Sequence, residues 1–91
     1  MTVRIEVQPT PNVHALKFTL DRWVTEGRSH TYTSVEQARD NPLAARLLAI
    51  PGVRMVFLLR DFVTVTRHPE ADWAAIVPEV ERCLREHFGD G

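Results

Sequence analysis

The sequence predicts an α+β domain in which a largely antiparallel, four-stranded sheet packs with two helices, in the order ββαββα. Three observations predict this class. Residues 2–8 and 15–20 alternate apolar and polar side chains, residues 41–67 read as a short helix followed by a hairpin, and residues 72–88 carry an apolar stripe at helical spacing. A chain of 91 residues has the size of one domain, so residues 1–91 are assigned to a single domain.

The first two strands are predicted to pair across a stiff loop. Each of the two alternating segments, 2–8 and 15–20, directs its apolar side chains to one face, as a half-buried strand does. The Pro-Thr-Pro-Asn segment 9–12 between them is a loop, because two prolines fix φ and remove two hydrogen-bond donors. Residues 23–24 extend the second strand in this interpretation, and residues 30–33 return as a short edge piece.

The segment 41–67 organises the chain. Asn41 is a good N-cap, Pro42 suits the first helical position, and Pro51-Gly52 ends the helix. The runs 53–59 and 62–66 are rich in β-branched and aromatic residues and predict two strands.

The turn between these strands decides which side chains share a face. If Arg60-Asp61 is a two-residue turn, Leu59 pairs with Phe62. The two faces then carry Met55, Phe57, Leu59, Phe62, Thr64 and Thr66 on one side, and Val56, Leu58, Val63 and Val65 on the other. Both faces are apolar, so either helices or loops cover both, or one face stays open as a partner surface.

Two further segments have helical signals. Ser34-Val35-Glu36-Gln37 fits a capping box and predicts a helical turn to about Arg39. The last helix is predicted to start at an Asp72 N-cap and to run to about Phe88, with a distorted first turn or a kink at Pro78. Residues 89–91 are predicted to be a frayed tail.

The composition excludes several classes of function. The net charge is −1, with +3 on residues 1–67 and −4 on residues 68–91, which is too little positive charge to predict a nucleic-acid partner. No apolar stretch approaches the roughly 20 residues that span a membrane, and the N-terminus lacks the pattern of a signal peptide. A single cysteine fits a reducing compartment, so we expect a cytoplasmic protein without a membrane partner.

No catalytic pattern is present, and we expect no enzymatic activity. The sequence has no nucleophile elbow, no glycine-rich phosphate loop and no HExxH motif. Asp61 suits a hairpin turn better than acid–base chemistry. Cys83 falls on the buried stripe of the last helix, although it also lies four residues before His87, and the two could serve as metal ligands shared across a dimer.

The order of motifs resembles the Nfu/NifU N-terminal domain family. Thr10-Pro11-Asn12 with Leu16-Lys17-Phe18 resembles the family's T-P-N-x-x-x-L-K-F opening. The resemblance continues through Pro42-Leu43-Ala44, Gly52-Val53-x-x-Val56-Phe57, Asp61-Phe62-Val63-Thr64-Val65-Thr66-Arg67, where the family usually reads D-F-I-T-V-T-K, and Asp72-Trp73. It spans almost the whole chain, in order and with near-family spacing.

The resemblance implies an accessory role in iron–sulfur cluster assembly or delivery. In the family this α+β module usually precedes a second domain whose C-x-x-C holds a transferable cluster, and it helps that carrier to meet donors or recipients. No C-x-x-C occurs here, so the cluster ligands have no counterpart to carry over, and a cluster is expected on a partner rather than on this domain.

Three hypotheses follow from the sequence. The first is a non-enzymatic protein-interaction module whose partner is a C-x-x-C iron–sulfur carrier or a recipient protein. The second is a direct carrier of iron or a [2Fe–2S] cluster, bridging a dimer through Cys83 and His87. The third is a general adaptor unrelated to iron–sulfur chemistry. For the first, the candidate partner-binding residues are Thr10, Pro11, Asn12, Lys17, Phe57, Leu59, Asp61 and Phe62.

Overall fold

A computed structural model of the chain describes residues 3–88, which form one five-stranded antiparallel sheet and two helices. The elements in chain order are β1 (Ile5–Pro9), β2 (Ala15–Leu20), β3 (His30–Tyr32), α1 (Pro42–Leu48), β4 (Val53–Leu59), β5 (Phe62–Arg67) and α2 (Trp73–His87). The α+β class and both helices are therefore confirmed. The predicted frayed tail, residues 89–91, lies outside the described residues, as does the start of the first predicted strand.

The sequence predicted a four-stranded sheet, whereas the structure has five strands. The strands lie in the order β1-β2-β5-β4-β3, and all neighbouring pairs are antiparallel. The edge piece expected near residues 30–33 is β3, and it joins the sheet through the pairs His30↔Leu58 and Tyr32↔Val56. Its three residues carry little periodic signal of their own, so its place depends on β4, which lies more than twenty residues further along the chain.

The β4–β5 hairpin has the predicted register. Leu59 pairs with Phe62, and Arg60 begins the turn with a φ of 53°. The loop after β2 holds this turn in place, because Thr25 Oγ1 accepts a hydrogen bond from Arg60 N at 3.0 Å and the Arg60 carbonyl accepts one from Val24 N at 2.5 Å. The hairpin tip is thereby fixed to the end of the sheet where β2 stops.

The core fills the space between the helices and one face of the sheet, which we call the inner face. Most of its large, fully buried side chains come from β2, β4, β5 and both helices: Phe18, Val56, Leu58, Val63, Val65, Leu47, Ile76, Val80 and Leu84. Val3, which precedes β1, is also fully buried. Burial of this apolar surface, at about 25 cal/mol per Å², is the main term that stabilises the domain. The two-residue periods of the strands and the helical stripes predicted this set.

Both helices begin as the sequence predicts. Asn41 Oδ1 accepts a hydrogen bond from Ala44 N at 3.1 Å, and the side chain of Asp72 accepts one from Ala74 N at 3.0 Å. The helix α2 continues through Pro78, which lies on its exposed side. Residues 35–40 form successive turns and not a helix, although Ser34 Oγ accepts from Gln37 N at 3.1 Å as in a capping box.

Two residues shape the connections that bring α2 onto the sheet. Gly52 has a φ of 97°, and a Cβ built on it would lie 3.0 Å from Ala71 Cβ, so glycine is needed for both reasons. Arg67 Nη1 donates to the carbonyls of Pro69 at 2.8 Å and Ala71 at 2.6 Å, which secures the loop between β5 and α2.

Candidate functional site

The face of the sheet opposite the helices, which we call the outer face, collects half of the candidate residues. Register places Lys17 of β2 beside Thr64 of β5, and Thr64 beside Phe57 of β4. The next row along the strands pairs Phe62 with Leu59. Strand pairing therefore brings Lys17, Phe57, Leu59 and Phe62 together on one surface.

An aromatic pair with a cation occupies the middle of the outer face. The ring centroids of Phe57 and Phe62 are 6.1 Å apart with the ring planes tilted by 43°, an ordinary geometry for an aromatic pair. The Nζ atom of Lys17 lies 4.4 Å from the centroid of the Phe62 ring, within range of a cation–π interaction. The arrangement offers apolar contact area and a positive charge side by side.

The apolar side chains of the outer face do not join the core. Met55, Phe57, Leu59 and Phe62 are all half-buried, and none belongs to the core cluster or packs against it. Their alternating neighbours Val56, Leu58, Val63 and Val65 are buried on the inner face under the helices. Among residues 3–88, both helices pack in the core against the inner face, so neither covers the outer face.

The Thr10-Pro11-Asn12 loop lies at the opposite end of the sheet from the hairpin tip. Thr10 Oγ1 donates to the carbonyl of Asn12 at 2.9 Å and accepts from Asn12 N at 3.1 Å, while Asn12 Oδ1 accepts from His14 N at 2.9 Å. These side chains are used to build the turn itself. The loop and the hairpin tip thus lie at the two ends of the outer face, with Arg67 N of β5 donating to the His14 carbonyl at the loop end at 2.8 Å.

Asp61 has a structural role in the turn. Its carbonyl accepts a hydrogen bond from Leu20 N at 2.7 Å, which links the hairpin tip to the end of β2. The side chain is half-buried and lies one residue from Phe62, at the rim of the outer face.

Sequence reasoning missed Trp23 as a surface residue. The expected extension of the second strand over residues 23–24 is wrong, because β2 ends at Leu20. Trp23 is 62% exposed, and the adjacent Val24 N donates to the Arg60 carbonyl at the hairpin tip. A tryptophan in a turn-rich segment with Asp21 and Glu26-Gly27 was the available signal.

The Cys83–His87 pair does not form an open ligand site. Cys83 is only 6% exposed and belongs to the core cluster with Val80 and Leu84. Burial raises the pKa of the Cys83 thiol, so the thiolate that binds metals is disfavoured, and partial burial with the nearby Arg46 charge lowers the pKa of His87. A bridge between two copies through this pair would require the C-terminal half of α2 to leave the core.

Residues 3–88 contain no group of three or more His, Cys, Asp or Glu side chains placed to hold a metal ion. In the same range, no helix is both long enough and apolar enough to cross a bilayer.

A groove of about 580 Å³ lies at the edge formed by β1, the end of β2 and the C-terminal part of α2. Its walls carry charges of both signs: Arg4, Glu6, Asp21 and Arg85.

Comparison with known proteins gives the family. Residues 5–91 match the model of the family described as scaffold protein Nfu/NifU N terminal. The chain is 37% identical over 91 residues to the Drosophila willistoni protein named NFU1 iron-sulfur cluster scaffold homolog, mitochondrial, and 36% identical over 88 residues to its human namesake. These alignments cover 99% and 96% of this chain but 32% and 35% of the relatives, so the chain spans about a third of their length.

Solved structures share the fold. The crystal structure of a Staphylococcus aureus protein matches with a TM-score of 0.79 and 30% identity, covering 92% of this chain and 99% of that one. The solution structure of a NifU-like protein from Saccharomyces cerevisiae matches with a TM-score of 0.85 and 24% identity, covering 99% of this chain and 82% of that one. With a family match over nearly the whole chain, this protein belongs to the Nfu/NifU N-terminal domain family.

Proposed function

We propose that this domain is a non-enzymatic protein-interaction module that takes part in the assembly or delivery of iron–sulfur clusters. The support is its family, together with relatives that are named as iron–sulfur cluster scaffolds. Because the chain matches only about a third of those relatives, the proposal concerns what this domain adds and not the whole scaffold activity. A cytoplasmic location stays a prediction, since the fly and human relatives are named mitochondrial.

The outer face carries this proposal. Phe57, Leu59 and Phe62 form an apolar surface that the core does not use, beside the cation of Lys17. Small domains rarely leave contiguous large apolar groups on a surface without a binding role. The partner is a C-x-x-C iron–sulfur carrier or the recipient protein that it meets. The Thr10-Pro11-Asn12 loop and Asp61 flank the surface at its two ends and are secondary contacts.

The cluster itself belongs to the partner in this proposal. Iron–sulfur clusters are usually held by about four cysteine thiolates, and this sequence has one cysteine, which is buried. The general-adaptor alternative keeps the same surface and differs only in the partner.

The direct test is binding of the domain to a purified C-x-x-C carrier, measured by calorimetry for the wild type and for Phe62→Asp. We expect Phe62→Asp to keep the native circular dichroism spectrum and to weaken binding at least about tenfold, as loss of an aromatic anchor does. Val35→Asp is the matched control, because Val35 is 43% exposed and lies on the turns after β3, away from the outer face. Unchanged affinity in Phe62→Asp would reject the outer face as the binding surface, and unfolding of this variant would place Phe62 in the core.

A second measurement distinguishes the accessory role from the alternative in which this domain itself carries iron or a cluster. Anaerobic reconstitution with iron and sulfide is followed by visible absorbance and bound iron, in the wild type and in Cys83→Ala. The accessory role predicts no chromophore in either protein. A chromophore that disappears in Cys83→Ala would instead make this domain a carrier that bridges a dimer.

A further inference from the structure

The outer face has a shape and a charge that specify the kind of segment it can receive. We propose that it binds an amphipathic, acidic helix of the partner, with two turns of apolar side chains on Met55, Phe57, Leu59 and Phe62 and a carboxylate on Lys17. The inference rests on the proposed function for its partner, but its chemistry is argued from this surface alone.

The length of the apolar surface fits two helical turns. Met55, Phe57 and Leu59 follow one another along β4 on the outer face. At about 3.4 Å per residue, this row is roughly 14 Å long. Apolar side chains at i, i+4 and i+7 of a helix span about 10.5 Å, at 1.5 Å per residue. The inner face of the same sheet already binds α1 and α2 through similar apolar rows, so a helix is the element that such a face accepts.

The positive charge of Lys17 beside this row favours a partner carboxylate. Lys17 lies two strands from β4, and its ammonium rests on the Phe62 ring. None of the three ion pairs formed among residues 3–88 involves Lys17. The residue of β1 that pairs with Lys17 is the uncharged Gln8, while Glu6 pairs with Thr19 and accepts a hydrogen bond from Gln8 Nε2 at 3.2 Å. A partner carboxylate on the flank of the docked helix would therefore give Lys17 an ion-pair partner that it lacks among residues 3–88.

The strand order also determines on which side of the docked helix the carboxylate lies. Apolar contact lies on the β4 and β5 side, and the cation lies on the β2 side. Neighbouring strands are about 4.8 Å apart, so Lys17 stands roughly 10 Å from the β4 row. The Lys17 side chain reaches back over β5 to the Phe62 ring, so its ammonium lies about one strand spacing, roughly 5 Å, from β4. This distance is half the width of a helix with side chains, about 10 Å, so the carboxylate belongs on the helix flank and not among its apolar anchors.

The test uses two synthetic peptides of about 18 residues with identical apolar positions at i, i+4 and i+7, one with glutamates and one with lysines on the flanks. Each is titrated into ¹⁵N-labelled domain, and amide shifts give both the site and the affinity. We expect the shifts to fall on β2, β4 and β5, and the acidic peptide to bind about fivefold more tightly at low salt, with the difference shrinking as salt rises.

Charge reversal distinguishes a contact from a structural effect. Lys17→Glu should reverse the preference, so that the basic peptide binds more tightly, whereas Arg39→Glu, the same change on the exposed turns after β3, should leave the preference unchanged. Equal affinities for the two peptides, a preference that survives Lys17→Glu, shifts confined to the helices, or no shifts with either peptide would each overturn the inference. No iron–sulfur protein takes part in the peptide experiment. If the peptides behave as expected but the domain does not bind a C-x-x-C carrier, only the proposed function is rejected.

Discussion

The ammonium of Lys17 lies over the ring of Phe62, 4.4 Å from its centroid, although the two residues are 45 positions apart in the chain. They are diagonal neighbours on β2 and β5, since Lys17 pairs with Thr64 and Thr19 pairs with Phe62. The contact orients a positive charge over an apolar surface that the core leaves free. The contact therefore places apolar contact area and a positive charge side by side on the outer face.

This contact should be measurable as a coupling free energy. A double-mutant cycle of Lys17→Met and Phe62→Leu, followed by urea unfolding, should give about 0.5–1 kcal/mol of interaction, the range for an exposed cation–π pair. The control cycle replaces Lys17→Met with Arg39→Met, on the exposed turns after β3, and should give coupling within about 0.5 kcal/mol of zero. Equal coupling in the two cycles would mean that the ring and the ammonium do not interact.

Gly52 should be less tolerant of a side chain than Gly27. Both have positive φ, 97° and 106°, so Gly52→Ala and Gly27→Ala share a backbone strain of about 1–3 kcal/mol. Only at Gly52 would the new Cβ also lie 3.0 Å from Ala71 Cβ and from Ile76 Cδ1, whereas at Gly27 no atom lies within 4 Å. Thermal and urea unfolding should therefore show a much larger loss of stability for Gly52→Ala than for Gly27→Ala. Equal losses would assign the whole effect to the backbone angle.

Thr25 should contribute to stability through the hairpin tip. Its Oγ1 accepts hydrogen bonds from Arg60 N at 3.0 Å and from Gly27 N at 3.3 Å, and the residue is buried. Thr25→Val keeps the shape but removes the acceptor, so the free energy of unfolding should fall by about 1–3 kcal/mol. Thr31→Val on the exposed side of β3 is the matched control and should change it by less than about 0.5 kcal/mol. Amide hydrogen exchange at Arg60 that is faster in Thr25→Val but not in Thr31→Val would show that the loss of stability arises at the hairpin tip.

The local parts of the fold could be predicted from the sequence because their signals are local. The caps Asn41 and Asp72, the Arg60-Asp61 turn and the two faces of the hairpin depend on spacings of a few residues, and all have the predicted form. The strand β3 was not counted in the sheet, since only its pairing with β4 defines it. The turns at 35–40 also show that a capping box does not make a helix without an apolar stripe behind it.

The candidate site was predictable residue by residue but not as a surface. Lys17, Phe57 and Phe62 were identified from motif and strand pattern, yet nothing local states that β5 lies between β2 and β4. That pairing places the lysine on the aromatic ring. The exposure of Trp23 likewise follows from where β2 ends, which strand propensity alone does not fix.

The buried thiol of Cys83 should make stability fall at alkaline pH. Burial raises the pKa of this thiol above its ordinary value of 9.0, with a smaller increase from Glu86 and smaller decreases from Arg46 and Arg82. In the unfolded chain the thiol loses its proton near the ordinary pKa, while the folded chain keeps it. Above that pH the unfolded state binds fewer protons, so the free energy of unfolding decreases as pH rises, by at most about 1.4 kcal/mol per pH unit. Below it both states are protonated, and Cys83 adds no pH dependence.

The comparison with Cys83→Ala isolates this effect. The variant should be less stable at neutral pH by a constant amount, since truncating a buried side chain leaves a small cavity. As the pH rises past the thiol's ordinary pKa of 9.0, the wild type should lose stability more steeply than the variant, so the difference in the free energy of unfolding between the two proteins should shrink. Parallel curves would show that the thiol ionises as freely in the folded domain as in the unfolded chain. Such a thiol would be accessible after all, and the dimer-bridging carrier would regain its ligand.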